Sequence, residues 1–373
     1  MLIQFTVFLS LALSFTIVYF VIPKIIRVSR IRHLFDVPNH RSAATQVTPT
    51  LGGIAIFAGF TVSLILVSTS YNIDELKYMF AGVISMLLIG IKDDLIGISA
   101  KNKFFIQLVM AIYLVLLGHY QITNLHGILG INEIGFISGT ILSVIAIVGI
   151  INSVNLIDGI DGLASGVCLL ISMVYGFWFL NVGDYLYALT SFSLAGSLIA
   201  FFLYNVFGST NKIFMGDTGS LILGTVVAVL TIHFNRFNPE TIHSVQGLPA
   251  ISLAIVIVPV IDTLRVAVIR LSQKKSPFSP DMNHIHHSLL QLTNSHLYSS
   301  LIIIAVNGLF VLLAFNLIDR IGNNNLFIML LASGFVLAYL PALILKLRKK
   351  FNAEVQEKNA IFALSVTLKK SKA

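Results

Sequence analysis

Four polar clusters interrupt this apolar chain, and each holds residue types that phosphate and metal chemistry uses. They are Lys92-Asp93-Asp94, the run from Asn152 to Gly162, Gly216-Asp217-Thr218-Gly219-Ser220, and His284-Ile285-His286-His287. Adjacent residues on a helix point about 100° apart, so Asp93 and Asp94 cannot address one ligand identically. That suits a division of labour; a solvated helix end beside Lys92 is the plainer alternative. In the second cluster polar residues recur at 152, 155, 158 and 161, a series that drifts about 60° per step on a straight helix. Gly159 and Gly162 predict a break there, letting Asn155, Asp158 and Asp161 curl around one ligand. Uncompensated carboxylates at a membrane boundary are costly unless they bind something, although a capped polar loop would also use these residues. Asp217 or Thr218 could serve as a helix N-cap. The same helix start has free N–H groups and a positive dipole end that favour a phosphate, while a carboxylate there suits Mg²⁺. Three histidines within four residues admit zinc or phosphate. The lack of a nearby cysteine and the scarcity of carboxylates favour phosphate, to which imidazoles donate hydrogen bonds.

Phosphoryl transfer unites these preferences. It needs a metal to offset repulsion between an anionic nucleophile and an anionic donor, and it needs in-line positioning. A site at the mouth of a helical bundle would also admit a lipid-borne acceptor arriving sideways from the bilayer.

The elements that must position the clusters are membrane helices. Of 373 residues, 56% are hydrophobic and 11% charged, with a mean hydropathy of +0.91. Soluble domains carry roughly 25% charged residues, so an ordinary cytosolic globule is excluded. Runs of about 20 apolar residues cross a bilayer as helices because every backbone group is then satisfied internally. The sequence predicts eleven, near 2–22, 51–70, 76–91, 104–118, 136–152, 164–180, 185–204, 218–235, 249–271, 297–318 and 326–345. The first has no Lys or Arg before it and Lys24, Arg27, Arg30, Arg32 and Arg41 after it. This places the N-terminus outside and, with eleven spans, the C-terminus in the cytoplasm. Threaded this way, 21 of the 24 Lys and Arg residues lie inside, with only Lys77, Arg236 and Arg320 outside. All four polar clusters then fall on the cytoplasmic face.

The net charge of +8 reflects that inner bias and needs no nucleic-acid partner. Residues 1–348 form one polytopic membrane domain, and 349–373 a basic cytoplasmic tail suited to anionic headgroups. Turn residues predict a small hairpin within 119–135. Pro259 predicts a kink in the ninth span, with Asp262 and Arg265 beyond it. The single Cys168 lies inside a span and can form neither an intrachain disulfide nor a thiolate metal site.

In this order and spacing the four motifs resemble the polyprenyl-phosphate N-acetylhexosamine-1-phosphate transferases, of the glycosyltransferase family 4 type. The resemblance runs from Asp36-Val37-Pro38 and Thr48-Pro49-Thr50-Leu51-Gly52-Gly53 to His287, roughly two-thirds of the chain. It implies an all-α integral membrane fold of eleven helices in the cell inner membrane. It also implies Mg²⁺- or Mn²⁺-dependent attack of a polyprenyl phosphate oxygen on the β-phosphorus of a UDP-N-acetylhexosamine, with release of UMP. By position, Asp217 and Asn155 would contact the metal, and Asp93 and Asp94 would orient or deprotonate the lipid phosphate. Lys103 would lie near that phosphate. His284, His286 and His287 would grip the donor pyrophosphate and sugar, while Asn205, Asp158, Asp161 and Phe214 framed the nucleotide. Ser276-Pro277-Phe278 and the His-x-His-His spacing resemble the branch using simple N-acetylhexosamine donors, with UDP-N-acetylglucosamine foremost. The product would be a lipid-linked precursor of an envelope glycan such as an O-antigen. Met282 and Gln46-Val47 stand where relatives often carry basic residues, which bears on the sugar more than on the reaction. The alternatives are a phospho-N-acetylmuramoyl-pentapeptide transferase and, from another class, a lipid or sugar transporter. A second copy of the chain is the one protein partner entertained.

Overall fold

The computed structural model describes residues 2–36, 48–69, 71–236, 247–276 and 282–370. Val37, Pro38, Arg41, Gln46, Val47, Lys372, residues 237–246 and the stretch Pro277 to Asp281 lie outside these. The protein is an all-α multi-pass membrane protein built of α1 (Leu2–Arg32), α2 (Gly52–Val67), α3 (Lys77–Ile96), α4 (Ala100–Leu116), α5 (Phe136–Ile157), α6 (Leu163–Val182), α7 (Tyr185–Phe207), α8 (Gly216–Asn235), α9 (Leu248–Ile255), α10 (Ile257–Ser272), α11 (Ile285–Thr293) and α12 (His296–Lys370). Among the described residues two strand pairs accompany the helices: β1 (Phe35–Asp36) with β2 (Thr48–Pro49), and β3 (Asn124–Ile128) with β4 (Ile131–Glu133). The second pair is the hairpin expected within 119–135.

Among the described residues each of the eleven expected spans lies mostly on helix, though 51–70 and 104–118 overrun theirs. Among the described residues six helices are individually long and apolar enough to cross a bilayer, or seven if the bent pair α9–α10 is one span. α12 is one of the six, although Gly322 (φ 75°, ψ 166°) divides it into two arms that cover the last two expected spans. At 16 and 17 residues, α2 and α4 are shorter than the about 20 that a bilayer requires.

The ninth span bends by 77°, and the break falls at Val256 (φ −105°, ψ 15°) rather than at the proline itself. Pro259 lacks the N–H that would bond the Ile255 carbonyl four residues earlier, and its ring would clash with that oxygen. The freed carbonyl accepts from Asn307 Nδ2 of α12 at 3.0 Å, and Val258 N donates to Asn307 Oδ1 at 3.3 Å. α10 thereby leaves the axis of α9 and carries Asp262 and Arg265 under α11.

α8 is the buried centre, packed against α2, α3, α5 and α6. Its flanks are kept thin. A Cβ on Gly53 would run into the backbone of Thr218 and Gly219, and one on Gly90 into the Thr218 backbone. Gly52 N donates to Phe214 O at 3.0 Å, Gly53 N to Met215 O at 2.9 Å and Phe214 N to Pro49 O at 2.8 Å. These bonds lace the start of α2 to the segment that launches α8.

Candidate active site

Three helix ends meet where α3 finishes, α5 finishes and α8 begins. Asp94, in the last turn of α3, accepts from Asp217 N (2.7 Å), Thr218 N (3.0 Å) and Thr218 Oγ1 (2.6 Å). The cap of α8 therefore comes from another helix, and neither Asp217 nor Thr218 is needed as its own cap. Gly216 has φ 72°, and a Cβ there would strike the Asp94 carboxylate. With both oxygens occupied, Asp94 holds α8 in place; Asp93 is the member of the pair that faces a cation.

Asp93 Oδ1 accepts from Ile98 N at 2.7 Å, beyond the turn at Gly97 (φ 79°). Ser99 then caps α4, so Lys103 comes back one turn into that helix. Its ammonium lies 2.9 Å from Asp93 Oδ2 and 2.6 Å from Asp217 Oδ1. Asn155 Nδ2 donates to the same Asp217 oxygen at 2.5 Å and to Ser220 Oγ at 2.8 Å. The drift along α5 is visible here: Asn152 turns away to Gln107 of α4 (2.7 Å), whereas Asn155 reaches α8.

Helix α5 ends at Asp158, whose φ −77° and ψ 54° leave the helical region, and Gly162 (φ 77°) starts α6. The expected break is present. Burial pushes the Asp158 carboxyl up to about 7, and the neighbouring Asp217, Asp94 and Asp161 carboxylates add to the shift. Below about pH 4 folded and unfolded chains both hold this proton. As pH rises towards 7 the unfolded carboxyl ionises first, so the folded state loses stability across that window. We expect Asp158→Asn to melt above the parent at pH 8 in detergent, with the gap closing towards pH 4. A gap independent of pH would contradict this.

Asp161 is paired with Lys212 (2.7 Å) and His296 (2.8 Å). Burial pushes its carboxyl up, but hydrogen bonds and charge from His296 and Lys212 hold it below the ordinary carboxylate range. Asn205 is buried, accepting from Gly162 N at 2.6 Å and donating to Ile213 O at 3.0 Å. It shapes the loops around Phe214, whose ring has the Lys212 ammonium 5.6 Å from its centroid.

The histidines join this assembly through Gly159, where a Cβ would overlap the His286 ring. His286 is buried, and burial, reinforced by His287, pushes it down to about 3. It is neutral at physiological pH and would act as a neutral hydrogen-bonding ring. His284 Nδ1 lies 2.9 Å from Asp262 Oδ2, and Ile285 N donates to Asp262 Oδ1 at 3.1 Å. Arg265 bonds both Asp262 (3.0 Å) and the Asn283 carbonyl. His287 packs 4.2 Å from His286, centroid to centroid.

The structure thus gathers Asp93, Asp94, Lys103, Asn155, Asp158 and Asp217 at one point. Asp161, Asn205 and Phe214 lie on the adjoining loops, and the histidines close the side next to Gly159. Sequence reasoning noted Asp262 and Arg265 only as charges beyond the proline kink, and Lys212 and His296 had no role. The signal for Asp262 was a carboxylate in an apolar span, which is expensive without a partner.

Among the described residues no group of three or more His, Cys, Asp or Glu could hold a metal ion. The zinc alternative for the histidines has no support in this arrangement. Asp217 offers a carboxylate oxygen, and the Asn155 amide, which here donates its N–H to Asp217, would offer its oxygen if the amide turned over; such a pair fits Mg²⁺, an ion that keeps waters and takes substrate phosphates as further ligands.

Residues 76–235 match the family model described as glycosyl transferase family 4. A Haemophilus influenzae protein named undecaprenyl-phosphate alpha-N-acetylglucosaminyl 1-phosphate transferase is 34% identical over 269 residues, covering 69% of this chain and 72% of its own. A Yersinia pestis protein of the same name is 27% identical over 261 residues, 69% of this chain and 70% of its own. A Mycolicibacterium smegmatis decaprenyl-phosphate N-acetylglucosaminephosphotransferase is 29% identical over 290 residues, 71% of each chain.

Proposed function

The chain belongs to glycosyl transferase family 4, and from that premise we propose that it transfers N-acetylglucosamine-1-phosphate from UDP-N-acetylglucosamine to a polyprenyl phosphate such as undecaprenyl phosphate. UMP leaves, and the lipid diphosphate starts an envelope glycan. The observation that carries this reading is the convergence, at the ends of three helices, of Asp93 and Asp217 on one ammonium, with Asn155 bonded to the same Asp217 oxygen. The inward bias of Lys and Arg supports a cytoplasmic position for that point in the cell inner membrane, and an eleven-span path is consistent with it.

A Mg²⁺ or Mn²⁺ ion held by Asp217 and the Asn155 amide oxygen would supply charge neutralisation for the donor pyrophosphate. Asp93 orients the acceptor phosphate and takes any proton it still carries. A phosphate monoester has its second pKa at about 6, so much of the acceptor is already dianionic and positioning is the larger part of this role. The new bond joins an acceptor oxygen to the β-phosphorus, and the bond to the UMP oxygen breaks in line with it. His286, as a neutral ring, and His287 hold the pyrophosphate and sugar through their ring N–H groups. Phe214 and the Asp161 loop frame the base.

The test incubates purified membranes containing the chain with Mg²⁺, polyprenyl phosphate and a panel of UDP-sugars, reading lipid products by mass spectrometry. A lipid diphosphate carrying one N-acetylglucosamine is expected, together with stoichiometric UMP. A product formed only from the muramyl-pentapeptide donor would reassign the substrate. No lipid product from any donor would refute the transferase reading.

A further inference from the structure

The Lys103 ammonium occupies the place between Asp93 and Asp217 that a divalent cation would claim. Its Nζ is 2.9 Å from Asp93 Oδ2 and 2.6 Å from Asp217 Oδ1; the Lys103 and Asp93 side chains are mostly buried and that of Asp217 is half-buried. Asp217 Oδ1 already takes Lys103 and the Asn155 amide N–H. In this arrangement the oxygen has no room for a metal ion, and Asn155 presents nitrogen rather than oxygen to it. Asp94 cannot relieve the crowding, because both its oxygens are committed to the start of α8. The scaffold is rigid: Gly53 and Gly90 bring α2 and α3 against α8 at backbone contact. The movable parts are one lysine arm and one amide.

We propose that Lys103 is an internal counter-ion that the metal displaces, so that metal binding itself releases this ammonium to the acceptor phosphate. Without metal, the lysine offsets the repulsion of two carboxylates that would otherwise be costly to hold together out of water. When metal binds, Lys103 leaves Asp217, the Asn155 amide turns to offer oxygen, and the freed ammonium becomes a phosphate contact for the acceptor. Two consequences follow from the charges alone. The metal competes with a tethered cation, so its affinity in the absence of substrates is held down. An acceptor phosphate, by drawing the lysine away, strengthens metal binding, and by linkage the metal strengthens acceptor binding equally.

This rests on Asp217 as a metal ligand, and the test separates that from the transfer reaction. Full-length protein in detergent is titrated with Mn²⁺ alone, and bound ion is read by electron paramagnetic resonance. Lys103→Met is expected to bind Mn²⁺ at least about tenfold more tightly than the parent, equal to about 1.4 kcal/mol. Lys103→Arg, which keeps the charge, should stay close to the parent, and Asp217→Asn should bind none in either background. Unchanged or weaker binding by Lys103→Met overturns the proposal. Absence of bound Mn²⁺ in parent and Lys103→Met alike also overturns it, together with the metal role of Asp217, while leaving the lipid product assay to decide the transfer. A second arm needs no variant. Amine-reactive labelling of the parent, read by peptide mass spectrometry, should show Lys103 becoming several-fold more reactive when Mg²⁺ is added. A reactivity that is unchanged or reduced by Mg²⁺ counts against displacement.

Discussion

Asp217→Asn is expected to reduce UMP release by about 10²–10³-fold, the scale on which loss of one preorganised electrostatic group is felt, while the chain stays folded in the membrane. The substitution is nearly isosteric. The backbone N–H of residue 217, which donates to Asp94 at 2.7 Å, is untouched, so α8 keeps its cap. An amide oxygen still accepts from Asn155 and Lys103. What disappears is one negative charge at the point where the proposed divalent cation and donor pyrophosphate would be held together. Lipid-product mass spectrometry and UMP release measure the loss, and size-exclusion behaviour in detergent reports the fold. Parent-level turnover in a folded Asp217→Asn protein would remove the metal role from this residue.

Gly53→Ala is the most damaging small change to the scaffold. The added methyl would meet Thr218 C at 2.7 Å and lie closer still to the Gly219 N and Cα atoms. These are backbone atoms that cannot swing aside, so α2 must separate from α8 and the Gly53 N to Met215 O bond at 2.9 Å is strained or lost. We expect a destabilisation of about 3 kcal/mol or more, in the range reserved for overpacked cores. It would be seen as a lower melting temperature and loss of the monodisperse peak. Gly149→Ala is the control: nothing lies within 4 Å of its Cβ position on α5, and helix propensity favours alanine. Equal melting of Gly53→Ala and the parent would show that α2 and α8 are not held at backbone contact.

The helical segments were legible because apolar runs and charge bias follow directly from the bilayer as solvent. The break after Asn155 was legible from its glycines, and the gathering of Asp93, Asp217, Asn155 and Lys103 follows the motif order. Other features were not. Asp93 and Asp94 look equivalent in a sequence, and only the direction of α8 decides that Asp94 becomes its cap. Pro259 marked a kink, but the break is displaced to Val256 because the proline's ring and missing N–H act on the turn before it. Asn205 reads as a ligand candidate and is spent on Gly162 N and Ile213 O. Its partners are backbone atoms of distant loops, which no local pattern announces. Asp262 could be seen as costly, but its union with His284, Ile285 and Arg265 depends on how far α10 leans.

That lean is set from within the protein. Since Asn307 of α12 takes up the carbonyl that Pro259 releases and receives the N–H of Val258 in return, the angle between α9 and α10 is fixed by internal bonds instead of by the lipids around it. α10 in turn carries the carboxylate that seats His284. The spacing between the imidazoles and the carboxylates is thus tied to hydrogen bonds inside the protein, at a break that needs no lipid or water to satisfy its backbone groups.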